Sequence, residues 1–299
     1  MKSNTENSFR DKWEMNSTSF LKDVLQEGSN TQNWILNRNG FRNLSDFKKY
    51  LSNKTRILDA GCGNGRVTAL LSGCSSSESQ LMGVDLVSSA VARENLKEID
   101  NVTFQEANLV EELSGLGQFD FIYCQEVLHH TTDPLRAFRN LCKLLLDDGE
   151  IAIYVYKKKA PVREFVDDFI RDQISDLDYS AAYKVSAAIT ELGEVLSKID
   201  TKINITPIPE LEIEGGEYEV QGFFYHFFMK CYWNPELSRE ENIIVNYDWY
   251  HPEICSKHTL DEVKSWFKDL GLEIIHENID FYGITIRGKK TINFTGSDS

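Results

Sequence analysis

Residues 56–65 read Arg56-Ile57-Leu58-Asp59-Ala60-Gly61-Cys62-Gly63-Asn64-Gly65. An apolar run of strand character ends in an acid and turns on three alternating glycines. Glycine admits positive φ and lets a ligand come close to the backbone. The stretch that follows, Arg66-Val67-Thr68-Ala69-Leu70-Leu71-Ser72, reads as a helix. Its free N-terminal amides face the turn and favour a negative group such as a carboxylate. A turn of this kind suits a nucleoside carrying a small polar tail.

The dinucleotide fingerprint is Gly-x-Gly-x-x-Gly. Here the glycines alternate at 61, 63 and 65, with Asp59 ahead of them. An acid at that place repels a pyrophosphate and suits a ligand with a cationic amino end. A second apolar run, Leu81-Met82-Gly83-Val84-Asp85-Leu86, also ends in an acid, and Asp85 follows Gly61 by 24 positions. A doubly wound fold sets a carboxylate on ribose hydroxyls at about that separation. Ser88-Ser89-Ala90-Val91 then opens another helix.

Two further segments come in order. They are Val102-Thr103-Phe104-Gln105-Glu106-Ala107-Asn108-Leu109 and Phe119-Asp120-Phe121-Ile122-Tyr123-Cys124-Gln125-Glu126-Val127-Leu128-His129-His130. On these four segments the chain resembles a class I S-adenosylmethionine-dependent methyltransferase of the small-molecule type. The likeness covers residues 55–157 well and 260–288 more loosely. It implies an α/β fold: a Rossmann-like seven-stranded sheet, mostly parallel, with an antiparallel last strand. It implies S-adenosyl-L-methionine as cofactor. Carried over residue by residue, it implies that Asp59, Gly61, Cys62, Gly63 and Gly65 hold the cofactor's amino-acid end. Asp85, followed by Leu86, takes the ribose diol, Asn108 and Leu109 the adenine, and Gln125 lies near the methionine moiety. The family usually has Asp where this chain has Asn108, and an amide can still hydrogen-bond the adenine edge.

The 299 residues suit one core domain with a sizeable insertion, or two small domains. A net charge of −15 argues against routine nucleic-acid binding, which leans on phosphate neutralisation. Six scattered cysteines without a Cys-x-x-Cys pair read as buried thiols in a reducing compartment, not as a metal or disulfide site. The start of the chain is polar, and no apolar run is long enough to span a bilayer. A cytoplasmic location, no membrane partner and no resident metal are therefore expected.

Residues 1–54 are expected as an N-terminal helical cap, with helices over 9–26 and 44–51. The cofactor-binding core follows over 55–157, with strands near 56–60, 81–85, 101–106, 119–124 and 149–156. Asp133-Pro134 opens a helix whose Leu135, Phe138, Leu141 and Leu145 repeat at helical spacing. Asp147-Asp148-Gly149 is expected as a turn. Residues 158–258 form a largely helical insertion, expected as a lid over the acceptor, with helices over 161–170 and 180–198. Its aromatic run Phe223-Phe224-Tyr225-His226-Phe227-Phe228 reads as the insertion's own core. The core resumes over 259–288 with a capping box from Thr259 to Glu262 and a final antiparallel hairpin. The tail 289–299 is expected to be flexible.

Methyl transfer from a sulfonium needs alignment and a dry site, and a base only where the acceptor must lose a proton early. His129 and His130 after the fourth strand, and His251 and His258 at the return from the insertion, are the candidate bases. Each has a purely structural alternative in loop ordering or capping. Tyr156, Lys157, Lys158 and Arg163 form the one basic cluster in an acidic chain and are expected to bind a phosphate or carboxylate on the acceptor. Asp248 and Tyr250 are added as acceptor contacts. Phe9 and Trp13 are expected either as an N-terminal lid or as a simple packing helix. The functional reading is methylation of a small polar metabolite or sugar, first of all at oxygen, with nitrogen and carbon left open. A nicotinamide-dependent oxidoreductase, a non-catalytic cofactor-binding protein and an RNA methyltransferase are the rivals. Oligomeric state is not legible.

Overall fold

The computed structural model describes residues 4–291. The chain divides into two compact units. One comprises Trp13–Lys157 with the segment from Ser256 onward, the other the chain up to Lys12 with Lys158–Cys255. The division therefore falls inside the first helix, α1 (Asn4–Met15), and not after residue 54 as expected. It leaves the insertion at Cys255, three residues ahead of the expected boundary.

In the core unit the expected long helix over 9–26 is broken. α1 ends at Met15 and a five-residue α2 (Leu21–Leu25) follows, separated by Phe20 at φ 63°. A further helix, α3 (Asn30–Arg38), is capped by Ser29, whose hydroxyl accepts from the Gln32 amide. α4 (Leu44–Leu51) is capped in the same way by Asn43. Alternating elements follow: β1 (Arg56–Ala60), α5 (Arg66–Cys74), β2 (Gln80–Asp85), α6 (Ser89–Asn95), β3 (Val102–Glu106), β4 (Phe119–Gln125), α7 (Pro134–Lys143) and β5 (Leu145–Tyr156).

The insertion unit contributes α8 (Pro161–Ile174), α9 (Tyr179–Ser197), β6 (Lys202–Ile205), β7 (Gly216–Glu219), α10 (Val220–Phe227) and α11 (Arg239–Tyr250). β6 and β7 pair antiparallel, so the insertion carries a small hairpin besides its helices. Phe227 packs with Ala160 and Ile213, and Phe223, Phe228 and Tyr218 close around them, which makes the aromatic run a core of this unit.

α12 (Leu260–Asp269), β8 (Leu272–Ile279) and β9 (Gly283–Lys290) complete the core unit. Strand order is β3-β2-β1-β4-β5-β9-β8. β9 runs antiparallel to both β5 and β8, and the other pairings are parallel. Parallel strands joined by right-handed crossovers bury both faces of the sheet. One face carries Phe138, Trp266 and Phe267 from α7 and α12, the other Ile35, Phe47, Leu70 and Leu71 from α3, α4 and α5. The crevice beyond the carboxyl ends of β1, β4 and β5 is where such sheets bind ligands.

Two expectations at β5 and β9 need correction. Asp147-Asp148-Gly149 lies within β5 as an irregularity: Phe119 pairs with Leu145 but Phe121 with Glu150, and Asp148 adopts φ 62°. Asp148 does take a turn-like backbone, but its neighbours hydrogen-bond across the sheet. β9 runs on to Lys290, so residues 289 and 290 are paired and not part of a tail. Gly288 is required there, because a Cβ would lie 2.4 Å from the Phe267 ring. The rest of the expected tail, from residue 292, lies outside the described residues.

Candidate functional site

The glycine turn is built by close packing. Gly61, Gly63 and Gly65 all have positive φ, at 83°, 53° and 87°. A Cβ on Gly61 would lie 2.2 Å from Val127, and one on Gly63 would lie 3.0 Å from the indole of Trp13. The Gly61 and Cys62 amides both donate to the Val84 carbonyl, at 2.7 and 3.0 Å, which ties the turn to the end of β2. The Cys62 thiol is buried, and burial with the nearby Asp85 and Asp59 pushes its pKa up, so it is inert packing.

Asp59 is buried at the end of β1, and its Oδ2 accepts from the Thr68 hydroxyl at 2.6 Å. Burial lifts its pKa to about 7, Asp85 adds to the lift, and the Thr68 hydrogen bond opposes it. An acid in this state is poised to ionise when a cation arrives. Asp85 is differently placed. Its Oδ1 accepts from the Val87 amide, the Ser88 amide and the Ser88 hydroxyl at 2.7–3.0 Å, and its Oδ2 accepts from the Gly63 amide at 3.0 Å. Thus Oδ1 opens the α6 turn, while Oδ2 has one protein donor and retains accepting capacity for a hydroxyl.

Asn108 forms a local turn, accepting from the Val110 amide at 3.1 Å and reaching Glu111 at 3.3 Å. Leu109 is buried in the core beside it. Leu86, just past β2, is half-buried. Gln125 ends β4 and exchanges hydrogen bonds with the Asn39 amide at 3.1 and 3.5 Å. The next residue, Glu126, takes φ 63° and pairs with Arg66 at 3.1 Å. Positive φ at a non-glycine residue is costly and marks a place where the surroundings hold the backbone. No sequence signal pointed to this pair. Around the turn, the Asn64 amide nitrogen donates to the Ser17 and Ser19 carbonyls, so residues 13–20 strap the turn from one side. Trp13 is thus seated on the glycine turn, and Phe9 belongs to the other unit.

At the ends of β4 and β5 the four candidate histidines separate. His129 is fully enclosed and stacks on Tyr156 with ring centroids 3.7 Å apart. It packs where a base was expected, and Tyr156, expected on the acceptor, is its buried partner. His130 is half-buried and meets Tyr156 edge-on at 5.6 Å. His258 is held by its backbone amide on the Tyr156 carbonyl at 2.8 Å, beside Lys157. Its Nδ1 lies 2.8 Å from Glu262 Oε1 and its Nε2 3.0 Å from the Ser256 hydroxyl. Ser256 is itself anchored through its amide to the His129 carbonyl at 2.8 Å. A carboxylate only accepts, so it fixes a proton on Nδ1, while Nε2 faces the Ser256 hydroxyl, which also reaches the His129 carbonyl at 3.2 Å. Glu262 was expected to complete a capping box. The Thr259 hydroxyl does accept from the Glu262 amide, but the Glu262 side chain goes to His258.

The insertion unit holds the other candidates, and several have partners that replace the expected role. Arg163 is 1% exposed and pairs with Asp167 at 3.1 Å. Asp167 also accepts from the Trp249 indole at 2.9 Å and the Lys230 amide at 2.9 Å, and the Tyr250 hydroxyl lies 2.7 Å away. Arg163 and Tyr250 are therefore parts of a buried hub around a carboxylate that sequence reading overlooked, although its four-residue spacing from Arg163 was legible. Asp248 pairs with Lys12 at 2.8 Å. His251 is buried, with its ring nitrogens 2.9 Å from the Ser8 hydroxyl and from the Leu177 carbonyl, and burial lowers its pKa. Both nitrogens are engaged in holding α11, which removes the base role expected for it. Of the basic cluster, Lys157 belongs to the core unit and is half-buried, while Lys158 is exposed and belongs to the insertion.

Among the described residues no group of three or more His, Cys, Asp or Glu is arranged to hold a metal, and no helix is long and apolar enough to cross a membrane.

Comparison with known proteins agrees with this architecture. The methyltransferase-domain family model matches residues 34–183, half of the chain. A Synechococcus protein of uncharacterised function is 35% identical over 118 residues, covering 37% of this chain and 28% of that protein. A ubiquinone biosynthesis O-methyltransferase of Albidiferax ferrireducens is 30% identical over 112 residues, covering 36% of this chain and 42% of that enzyme. The matches thus span less than half the length of these relatives. An O-methyltransferase family protein from Burkholderia thailandensis shares the fold, with a TM-score of 0.51 at 11% identity over 96% of this chain and 64% of that one. From the matched half, the sheet order and the glycine turn between two acids, the chain belongs to the methyltransferase-domain family, the class I S-adenosylmethionine-dependent methyltransferases.

Proposed function

We propose that this protein transfers the methyl group of S-adenosylmethionine to a hydroxyl of a small polar acceptor. The observation that carries oxygen as the acceptor atom is the Ser256–His258–Glu262 chain at the carboxyl ends of β4 and β5, with contacts of 3.0 and 2.8 Å. The cofactor, when bound, supplies an electrophilic methyl on a sulfonium, and the protein supplies alignment and exclusion of water.

The residues present fit that cofactor. The glycine turn leaves backbone room that side chains would fill. Asp59, lifted to about 7, suits an ammonium, and Asp85 Oδ2 can accept from a ribose hydroxyl. Asn108 and Leu109 remain the proposed adenine contacts. Gln125 stays near the methionine end, through an amide already committed to Asn39.

His258 accepts the acceptor's hydroxyl proton, directly or through Ser256, as the oxygen–methyl bond forms and the sulfur–methyl bond breaks. Glu262 orients the ring, stabilises the imidazolium and, with its side chain 44% exposed, passes the proton toward water. A neutral amine attacks through its own lone pair and sheds its proton after transfer, so a hydroxyl gains more from this chain than nitrogen does. His130, Lys157 and Lys158 remain secondary candidates for contact with the acceptor.

Calorimetric titration with S-adenosylmethionine and S-adenosylhomocysteine tests the cofactor. Trp13 fluorescence offers an independent readout of events at the glycine turn. Tritiated S-adenosylmethionine with a panel of hydroxylated, amino and carbon acceptors then tests the chemistry. Labelled ether products support the reading. Label only on amines or carbon would replace it, and absence of cofactor binding by folded protein would remove it.

A further inference from the structure

The insertion unit gathers cations around one indole. Lys230 Nζ lies 4.7 Å from the Trp249 ring centroid, Arg163 Cζ 5.4 Å, Lys159 Nζ 5.7 Å and Arg171 Cζ 6.0 Å. All four residues are buried. The carboxylates of the same region are already engaged. Asp167 pairs with Arg163, Asp168 with Arg171 and Asp248 with Lys12, while Glu164 accepts from the Lys159 backbone amide.

Lys230 stands apart from the other three. Its backbone is fixed on both sides: the amide donates to Asp167 at 2.9 Å, and the Tyr250 hydroxyl lies 2.8 Å from the carbonyl oxygen. Its ammonium has no hydrogen bond and no ion pair among the described residues. Burial pushes its pKa down to about 8 and Arg163 pushes the same way, with Asp248 and Asp167 in opposition. The positive field is felt at a second group. His226 on α10 is pushed down to about 4, first by burial and then by Arg163 and Lys159.

An indole face gives an ammonium about 0.5–2 kcal/mol, less than the several kcal/mol that removing the charge from water costs. Covering Trp249 would need only the aliphatic stem, which a neutral side chain supplies as well. The ring therefore accounts for the placement of Lys230 but not for its charge. We propose that Lys230, with Lys159 beside it, forms a site inside the insertion unit for an oxyanion, a phosphate or a carboxylate. Arg163, committed to Asp167, adds field to this site and holds the hub that fixes the Lys230 backbone. A compact ammonium is a suitable point charge for such a group. The basic run expected to bind an anion thus supplies Lys159, while Lys230 lies far along the chain and carried no signal of its own. Binding of the ion is independent of the methyl-transfer reading; only an acceptor that itself bears the oxyanion would rest on it.

Calorimetry with inorganic phosphate and with acetate tests the site in the intact protein at low ionic strength. The wild type is compared with Lys230→Met, Lys230→Gln and Lys184→Met, the last an exposed lysine of the same unit. At least one probe should bind the wild type, and both Lys230 variants should weaken it about tenfold or more, the worth of a hydrogen bond to a charged group. Lys184→Met should leave probe affinity unchanged, and affinity for S-adenosylhomocysteine should be the same in all four proteins. Phosphate should also raise the Tm of the wild type and leave that of the Lys230 variants where it was. Lys230→Met alone should fold at least as stably as the wild type, because it removes a buried charge that lacks a partner. The site is overturned if neither probe binds folded wild type, if Lys184→Met weakens binding as much as the Lys230 variants do, or if Lys230→Met lowers Tm and leaves phosphate affinity untouched. Competition between phosphate and the methyl acceptor would place the oxyanion on the acceptor, and binding without competition would assign the site to a free ion; both keep the site. A wild type that takes phosphate but not S-adenosylhomocysteine would remove the methyl-transfer reading and leave the oxyanion site standing.

Discussion

Asp59 is the residue whose environment has the plainest consequence in solution. Its folded-state pKa of about 7 stands above the ordinary value of 3.8, so the native protein binds a proton there more tightly than the unfolded chain does. The stability this contributes is present at acid pH and is lost as pH rises through that window. An ammonium held by Asp59 prefers the ionised acid. Affinity for S-adenosylmethionine should therefore fall as pH is lowered from about 8 to about 6, with proton release on binding, and Asp59→Asn should abolish both effects. Calorimetry in buffers of different ionisation enthalpy reads this directly, and a pH-independent affinity would count against an ammonium at Asp59. Asp85→Ala should weaken cofactor binding about tenfold or more by removing a charged acceptor, whereas an unchanged affinity would mean the carboxylate serves only the α6 turn.

At the scale of elements, the groups proposed for the chemistry come from the carboxyl ends of strands and from the segment that returns to the sheet. Ser256 and His258 are fastened by backbone hydrogen bonds to residues 129 and 156, so the return segment is held to the loop after β4 and to the end of β5 before α12 begins. That fastening sets the imidazole without relying on side-chain packing alone. His258→Gln should lower kcat for a hydroxyl acceptor by roughly a hundredfold, the usual worth of a general base, while leaving affinity for S-adenosylhomocysteine unchanged. Glu262→Gln should lower it less, because it misorients the ring and does not remove it. Equal losses in KM and kcat for both variants, with a flat pH profile for each, would indicate a structural role instead.

Across the whole molecule, each compact unit has its own buried core, and polar hubs are part of both. Asp167 collects four donors inside the insertion unit, Arg163 among them. Asp167→Ala would strand a buried guanidinium, an indole N–H and a phenol, at a cost of about 3–5 kcal/mol. Hydrogen exchange should show the loss of protection centred on α8 and α11, and unchanged protection there would mean that the hub is dispensable. The net charge of −15 left this interior hidden, because the Arg163–Asp167 pair cancels in the sum.

Much of the core was legible in the order of residues. A strand ending in an acid, a turn that only glycine fits and a helix after it are local events, governed by periodicity and backbone sterics. For the same reason residues 59, 61, 63, 65 and 85 could be gathered into one site before any coordinates. The fates of the histidines, of Arg163 and of Arg38 depended on partners far along the chain. His251 meets Ser8 and Leu177, His258 meets Tyr156, and Arg38 meets Tyr123 and Tyr154. A side chain's chemistry is set by what surrounds it after the strands have been ordered 3-2-1-4-5-9-8, and that order brings together residues that no spacing along the chain connects. By itself the sequence determined the fold class and the cofactor turn. Only the tertiary structure decided which histidine stands between a carboxylate and a hydroxyl and which arginine is enclosed with donors to spare, because burial and long-range contacts govern both.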